Sequence, residues 1–99
     1  MKIQYSHEMQ KRLKDEKTIA RNYGQLAKRI ILSISVLIAA DHLGDVPNVP
    51  PTRRHKLEGE EKHWAMDFSA NWRIIIEALD GKEVEEISEV KIVRVEDYH

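Results

Sequence analysis

The apolar residues between Tyr23 and Ile38 recur with the period of an α-helix, and this pattern constrains the fold more than any other feature of the sequence. Leu32 and Val36 widen the apolar stripe, so we expect the helix to pack on a sheet with most of its circumference covered. Its most apolar part spans the eleven residues 30–40, whereas a membrane span needs about 20. The pattern therefore indicates a buried helix. The stripe itself comprises residues three or four apart along one side of a helix, namely Tyr23, Leu26, Ala27, Ile30, Ile31, Ile34, Leu37 and Ile38.

Shorter stretches in which polar and apolar residues alternate predict strands on both sides of this helix. Residues 2–5 form the first such stretch, and Ser6 after them is a good N-cap. Residues 7–22 are mostly polar with sparse apolar positions, which is typical of a surface helix. Asp15 could cap a second helix if this segment is broken.

The second half of the sequence begins with a loop and continues as strands. Pro47, Pro50 and Pro51 mark the loop, because proline cannot continue a helix or donate to a sheet ladder. Residues 63–68 and 72–76 flank a short turn and predict a β-hairpin, and residues 90–95 predict a last strand. This order predicts an α+β fold, with an N-terminal strand and two helices packed on a mostly antiparallel sheet of four to five strands.

The length and the absence of cysteine exclude several classes of protein. A chain of 99 residues has material for one domain, which we expect to span residues 1–99. Because there is no cysteine, a disulfide framework, a thiolate nucleophile and a cysteine-ligated zinc site are excluded. The first residues lack the basic-then-apolar order of a secretory signal. We therefore expect a cytoplasmic protein with no role at a membrane.

Charge is unevenly distributed, although the 16 basic and 17 acidic residues nearly cancel. Residues 1–40 carry eight Lys and Arg against three Asp and Glu, whereas residues 41–99 carry eight against fourteen. Residues 80–89 alone hold five acids and one lysine, and we expect them to form a hairpin extension that tunes the charge. Charge alone leaves nucleic-acid binding open and does not support it.

Three groups of polar residues together carry the side chains that RNA phosphodiester cleavage needs. A base takes the proton of the 2′-hydroxyl, a cation stabilises the pentavalent phosphate, and an acid protonates the leaving oxygen. No metal or other cofactor is expected for such a site. The three groups are the basic run Arg53-Arg54-His55-Lys56, the single residue Arg73 in an apolar strand, and the terminal run Glu96-Asp97-Tyr98-His99.

Each of these groups also has a purely structural interpretation. The basic run could be a solvated charged segment, and the terminal run could be a frayed end of the chain. Arg73 could simply pair with a carboxylate such as Asp67 or Glu77. The histidines are not spaced as metal ligands usually are, so no metal site is predicted. The residues alone leave both interpretations open.

At these positions the sequence resembles the HigB-type branch of the RelE/ParE toxin superfamily, the killer components of bacterial toxin–antitoxin systems, also called plasmid maintenance killer proteins. Any single matching segment is weak, but the order and spacing of the segments are specific. The matching segments are Lys17–Gly24, Ala39–Leu43, Pro50–Gly59, His63–Asp67, Ala70–Ile74 and Val93–His99.

The resemblance implies a RelE-like fold and a ribosome-dependent endoribonuclease that cuts mRNA in the decoding site of the small subunit. It also implies a helix-turn-helix antitoxin as partner, with DNA contacted only through that antitoxin. Carried over by position, His55 is an acid/base or phosphate-contact residue and Arg73 stabilises the phosphate charge. The basic neighbours Arg53, Arg54 and Lys56 are expected to bind RNA. The remaining catalytic residues implied by the resemblance are Asp97, Tyr98 and His99.

Glu58 departs from the family pattern, because the family commonly has lysine before the glycine that is Gly59 here. This departure supports an alternative, a catalytically weak RelE-fold binding module that acts through its antitoxin complex. A further alternative is a gyrase inhibitor of the ParE kind, in which His55 and the terminal residues would have no role.

Overall fold

The computed structural model describes residues 1–97, in which three α-helices lie on one face of a five-stranded sheet. The predicted α+β class is confirmed. The elements in chain order are β1 (Lys2–Tyr5), α1 (His7–Arg12), α2 (Glu16–Tyr23), α3 (Ala27–Ala39), β2 (His55–Lys56), β3 (His63–Ser69), β4 (Trp72–Ala78) and β5 (Glu89–Asp97).

The polar segment at residues 7–22 forms two helices, each with its own N-cap. The side chain of Ser6 accepts a hydrogen bond from the backbone N–H of Met9 at the start of α1. Asp15 accepts one from the backbone N–H of Thr18, at 2.7 Å, at the start of α2. Each cap satisfies an N–H group that would otherwise lack a partner in the first turn. The break predicted at Asp15 is therefore confirmed.

The strands lie in the order β1-β5-β4-β3-β2, and all neighbours are antiparallel except β1 and β5. The predicted hairpin is confirmed as β3 and β4, with Asp67 opposite Arg73 and the turn after Ser69. Strand β2 is only two residues long, so β3 has little strand cover along its outer edge.

Strand β5 contains one residue more than β4 needs for regular pairing. Ile76 pairs with Ile92 and Ile75 pairs with Arg94, so Val93 is the extra residue of a β-bulge. The last strand predicted at residues 90–95 is confirmed as part of β5. Unbroken alternation along it would place Arg94 on the same face as Val90 and Ile92, but the bulge turns Arg94 to the other face.

The core lies between the helices and one face of the sheet, and α3 contributes Ile30, Ile34 and Leu37 to it. The expectation that most of the circumference of α3 is covered is wrong, because Leu32 is 65% exposed and Val36 is also exposed. The physical reason is that the helices form a single layer, so the sheet buries one side of α3 and the opposite side meets solvent. No helix in the described part of the chain has the length and apolarity needed to cross a membrane.

Residues 80–89 form a closed loop, and the predicted hairpin extension is wrong. The carboxylate of Asp80 accepts hydrogen bonds from the backbone N–H groups of Ser88 and Glu89 and from the Ser88 hydroxyl. Residues 84–86 form a single turn of 3₁₀-helix between these ends. The loop therefore presents its acidic side chains to solvent without adding a strand to the sheet.

The buried side of α3 can be tested by placing the same charge on its two sides. Ile30→Asp should unfold the protein, because an unpaired buried charge costs several kcal/mol against a total stability of roughly 5–15 kcal/mol. Leu32→Asp places the charge in solvent and should change stability by less than about 0.5 kcal/mol. Thermal melts followed by circular dichroism measure both. Equal effects of the two substitutions would contradict this packing.

Candidate active site

One face of the sheet carries no helix within residues 1–97, and it collects three of the polar residues singled out from the sequence, His55, Arg73 and Glu96. Residues directly opposite each other on neighbouring antiparallel strands project from the same face. The core cluster uses Met66, Ile74 and Ile92 on the helix side, so their sequence neighbours face the other way. We call this second face the open face, and its central residues are His55, Ala65, Asp67, Arg73, Ile75, Arg94 and Glu96.

Two predicted catalytic residues, His55 and Arg73, lie on the open face. His55 is opposite Ala65 at the sheet edge, and Arg73 lies between Asp67 and Glu96 in the adjacent row. Both side chains are partly exposed.

Of the three predicted terminal residues, only Asp97 is among those that the structure describes. Asp97 is exposed at the end of β5, and it is opposite Trp72, so its register position belongs to the helix-covered face. Tyr98 and His99 lie outside the described residues.

The loop before β2 orients His55 through Arg53. Arg53 adopts a left-handed backbone conformation with φ of 46°, which is uncommon for a residue with a side chain. Its guanidinium donates to Asp67 at 2.8 Å, and its carbonyl oxygen lies 2.7 Å from Nδ1 of His55. Because a carbonyl oxygen only accepts hydrogen bonds, Nδ1 carries the proton. Nε2 is then the basic atom of the neutral ring.

Arg54 and Lys56, two of the predicted RNA-binding residues, both lie over the indole of Trp64. Each cation lies 5.8 Å from the ring centroid, within the range of a cation–π interaction. Arg54 also donates to the carbonyl oxygen of Val46 at 3.1 Å. The hydrogen bond to Asp67 thus places the Arg53 side chain on the open face with His55, whereas the other two cations lie over Trp64.

The carboxylate of Glu96 binds two guanidinium groups on the open face. Arg73 donates to Glu96 from Nε at 2.9 Å and from Nη2 at 2.8 Å, and Arg94 donates from Nε at 2.5 Å. In the purely structural interpretation, the ion-pair partner of Arg73 was expected to be Asp67 or Glu77. Instead, Asp67 accepts from Arg53, and Glu77 lies 3.8 Å from the ammonium group of Lys91.

This arrangement changes the acidity of the groups involved. Partial burial raises the pKa of Glu96, but hydrogen bonds from Arg94 and Arg73 outweigh it, so the pKa lies below the ordinary value of 4.5. The hydrogen bond to Glu96, supported by a weaker one to Glu60, raises the pKa of Arg94. Glu96 is therefore ionised at neutral pH and holds both arginines in place.

Sequence reasoning missed Arg94 and Glu60 as members of this site, and it named Glu96 only as part of the terminal run, with no role of its own. Arg94 seemed to belong to a regular alternating strand, and only the bulge at Val93 brings it to the open face. Glu60 lies in the loop between β2 and β3, two residues after the exposed Glu58. The one available signal was the pair of charged residues at positions 94 and 96, which an unbroken alternation would have buried.

Solved structures of bacterial toxins have the same architecture. The Escherichia coli DinJ–YafQ toxin–antitoxin complex matches with a TM-score of 0.64 and 14% identity, over 97% of this chain and 90% of the other. A YoeB/ParE toxin from Agrobacterium tumefaciens matches with a TM-score of 0.62 and 12% identity, over the whole of both chains. The chain has a RelE-like toxin fold. No protein-family model and no curated protein matches the sequence.

Within this RelE-like fold, the ion pairs of Glu96 should make stability depend on pH. A carboxyl whose pKa is lowered by folding contributes stability above its unfolded pKa, and the contribution is lost as pH falls through the folded pKa. Glu96→Gln should cost about 1 kcal/mol at pH 7, a modest value because the side chains of Arg73 and Glu96 are still 19% and 25% exposed. The difference from the parent should shrink as the pH is lowered from 5 toward 3. Urea denaturation at each pH measures it.

The matched control for this experiment is Glu58→Gln, which removes an exposed carboxylate that forms no ion pair within residues 1–97. It should cost much less than Glu96→Gln at pH 7. A Glu96→Gln penalty that is equally large at pH 3 and pH 7 would contradict the assigned ion pairs.

Proposed function

We propose that this chain is the toxin of a type II toxin–antitoxin system, of the HigB type, and that it cleaves mRNA on the ribosome. The observation that carries the proposal is that His55 and Arg73 share the open face of a RelE-like fold. The neighbours that share this fold are named as toxins, and one of them is in complex with its antitoxin. The segments that resemble HigB-type toxins support the finer assignment.

The chemistry we propose needs only side chains of this chain. Nε2 of His55 takes the proton of a 2′-hydroxyl, whose oxygen attacks the adjacent phosphorus while the bond from phosphorus to the 5′-oxygen breaks. Arg73 stabilises the negative charge on the phosphate, and His99 returns a proton to the leaving 5′-oxygen. The products are a 2′,3′-cyclic phosphate and a 5′-hydroxyl. In this proposal Asp97 orients the nucleotide from the exposed end of β5 rather than from the open face, and Tyr98 stacks on the nucleotide or activates it.

The RNA is proposed to enter along the edge formed by β2. Arg53, Arg54 and Lys56 lie there, two of them over the ring of Trp64, and an aromatic ring beside cations suits a single-stranded RNA. The proposed target is mRNA in the decoding site of the small ribosomal subunit, which places the protein in the cytoplasm. The proposed partner is a helix-turn-helix antitoxin, through which alone the toxin reaches DNA. The DinJ–YafQ complex supports an antitoxin partner.

The ion pairs of the open face favour one second candidate, a catalytically weak binding module of the same fold. Arg73 is bound by Glu96, and Glu58 stands where the family commonly has lysine. Both features reduce the positive potential that a phosphate would meet. In this second candidate the protein acts through its antitoxin complex and leaves RNA intact.

The two candidates differ in what Arg73→Ala does in cells. If the chain is the nuclease, this variant should lower the cleavage rate by about 10²–10³, because a preorganised cation at the phosphate is lost. Growth inhibition should then disappear, and the mRNA ends that appear on induction of the parent should vanish. The readouts are growth and genome-wide mapping of mRNA ends. Arg21→Ala, on the exposed surface of α2, is the matched control and should remain toxic.

Two other outcomes would contradict the proposal that the chain is a nuclease. Toxicity that persists in Arg73→Ala, in a variant that melts like the parent, would contradict a catalytic role for the open face. Toxicity of the parent without new mRNA ends would favour the binding module, or a gyrase inhibitor if DNA supercoiling changes instead.

A further inference from the structure

The ion pair between Arg94 and Glu60 crosses the open face. Arg94 projects from β5, and Glu60 belongs to the loop between β2 and β3, so strand β4 lies between the two residues. Nη2 of Arg94 is 3.2 and 3.3 Å from the two carboxylate oxygens of Glu60. Ala65 and Ile75 lie in the same row of the sheet, and both are fully buried although no described helix covers this face. The Arg94–Glu60 pair thus closes over the centre of the proposed site.

Among residues 1–97, Glu60 is the second carboxylate that pairs with the cluster of Arg73, Arg94 and Glu96. Arg73 and Arg94 carry two positive charges, and the single carboxylate of Glu96 bridges both of them. Glu60 supplies the second negative charge. If Glu60 moved away, the cluster would carry one uncompensated positive charge beside Arg73. That is the charge needed to bind one RNA backbone phosphate.

Glu60 is the exchangeable member of this cluster. The side chains of Arg94 and Glu60 are 40% and 42% exposed, and ion pairs this exposed contribute little net stability. The contact of Arg94 with Glu96 is shorter, at 2.5 Å, and Glu96 is anchored within β5. A phosphate that reaches the open face can therefore displace Glu60 at low cost while Glu96 keeps both guanidinium groups oriented.

We propose that Arg94 is a second phosphate-binding residue of the site, and that Glu60 occupies its guanidinium until RNA takes that place. This inference rests on the proposed function, since Arg94 is a further residue of the same site and the Arg94–Glu60 ion pair blocks its guanidinium. The loop between β2 and β3 then swings away from Arg94 as RNA binds. Arg94 and Arg73 hold neighbouring phosphates from the two sides of Glu96.

The test measures RNA affinity in variants of Glu60 and Arg94. The probe is a fluorescein-labelled single-stranded RNA with 2′-O-methyl groups, which cannot be cleaved by 2′-hydroxyl attack, and fluorescence anisotropy reports its binding. Glu60→Gln should bind roughly two- to fivefold more tightly than the parent, because one competing exposed ion pair is removed. Glu61→Gln makes the same change of charge at the exposed neighbouring residue, and it should change the affinity by less than Glu60→Gln does.

Arg94→Ala should weaken RNA binding about tenfold or more. It should also make the slope of log affinity against log salt concentration shallower by roughly the contribution of one phosphate contact. In the Arg94→Ala background, adding Glu60→Gln should give no more gain than adding Glu61→Gln, because the gain acts through Arg94. Thermal melts confirm that each variant is folded. If Arg94→Ala proves unstable, Arg94→Gln replaces it.

The proposal is overturned if Glu60→Gln and Glu61→Gln have equal effects, or if the gain from Glu60→Gln persists without Arg94. Arg73→Ala, measured in parallel, separates this failure from failure of the proposed function. If Arg73→Ala loses RNA binding while the Arg94 and Glu60 variants behave like the parent, only the present inference fails. If Arg73→Ala binds this RNA like the parent and still produces the parent's mRNA ends when it is induced in cells, the proposed function fails as well.

Discussion

The packing of α3 against a single face of the sheet is the constraint on which the rest of the molecule depends. Ile30 and Leu37 are fully buried in this contact, and the short helices α1 and α2 complete the same layer with Met9 and Ile19. Residues 1–97 form no second helical layer on the other side of the sheet. The opposite face of the sheet is therefore covered by side chains and one loop instead of by helices. Polar residues on that face can contact each other without the free-energy cost of full burial.

The β-bulge at Val93 determines which residues meet on that face. If Val93 were paired regularly instead of bulging, Arg94 and Glu96 would project into the core on the same face as Ile92, where unpaired charges are costly. With the bulge, both turn to the open face, where Glu96 binds Arg73 across the strands. Ser6 supports this geometry from the start of α1, because its hydroxyl donates to the carbonyl oxygen of Val93 at 3.1 Å. Bulges are over-represented next to functional sites for this reason: one residue changes the direction of those that follow.

Much of the fold follows from local patterns in the sequence, because those patterns report which side of an element is buried. The period of Ile30, Ile34 and Leu37 predicted α3, and Asp15 predicted the break before α2. The pattern could not show that Leu32 stays exposed, since apolarity alone does not reveal how many layers cover a helix.

The candidate site was predictable only in part. Placing His55 and Arg73 on one face required only strand pairing, and they do share it. Three features escaped prediction: the Glu96 bridge, the loop that carries Glu60, and the register position of Asp97. These features depend either on a one-residue bulge or on the path of a loop. A bulge and a loop path leave no periodic signal in the sequence.

The central claim is that the open face promotes attack by an RNA 2′-oxygen, and the chemistry of the cut ends tests it most directly. Purified protein would be added to ribosomes carrying a defined mRNA, and the same mRNA would be made with a single 2′-deoxy nucleotide on the 5′ side of the mapped cut. The account predicts a downstream fragment with a 5′-hydroxyl end from the normal mRNA, and no cut at that position in the deoxy mRNA. A 5′-phosphate end, or equal cleavage of the two mRNAs, would contradict it.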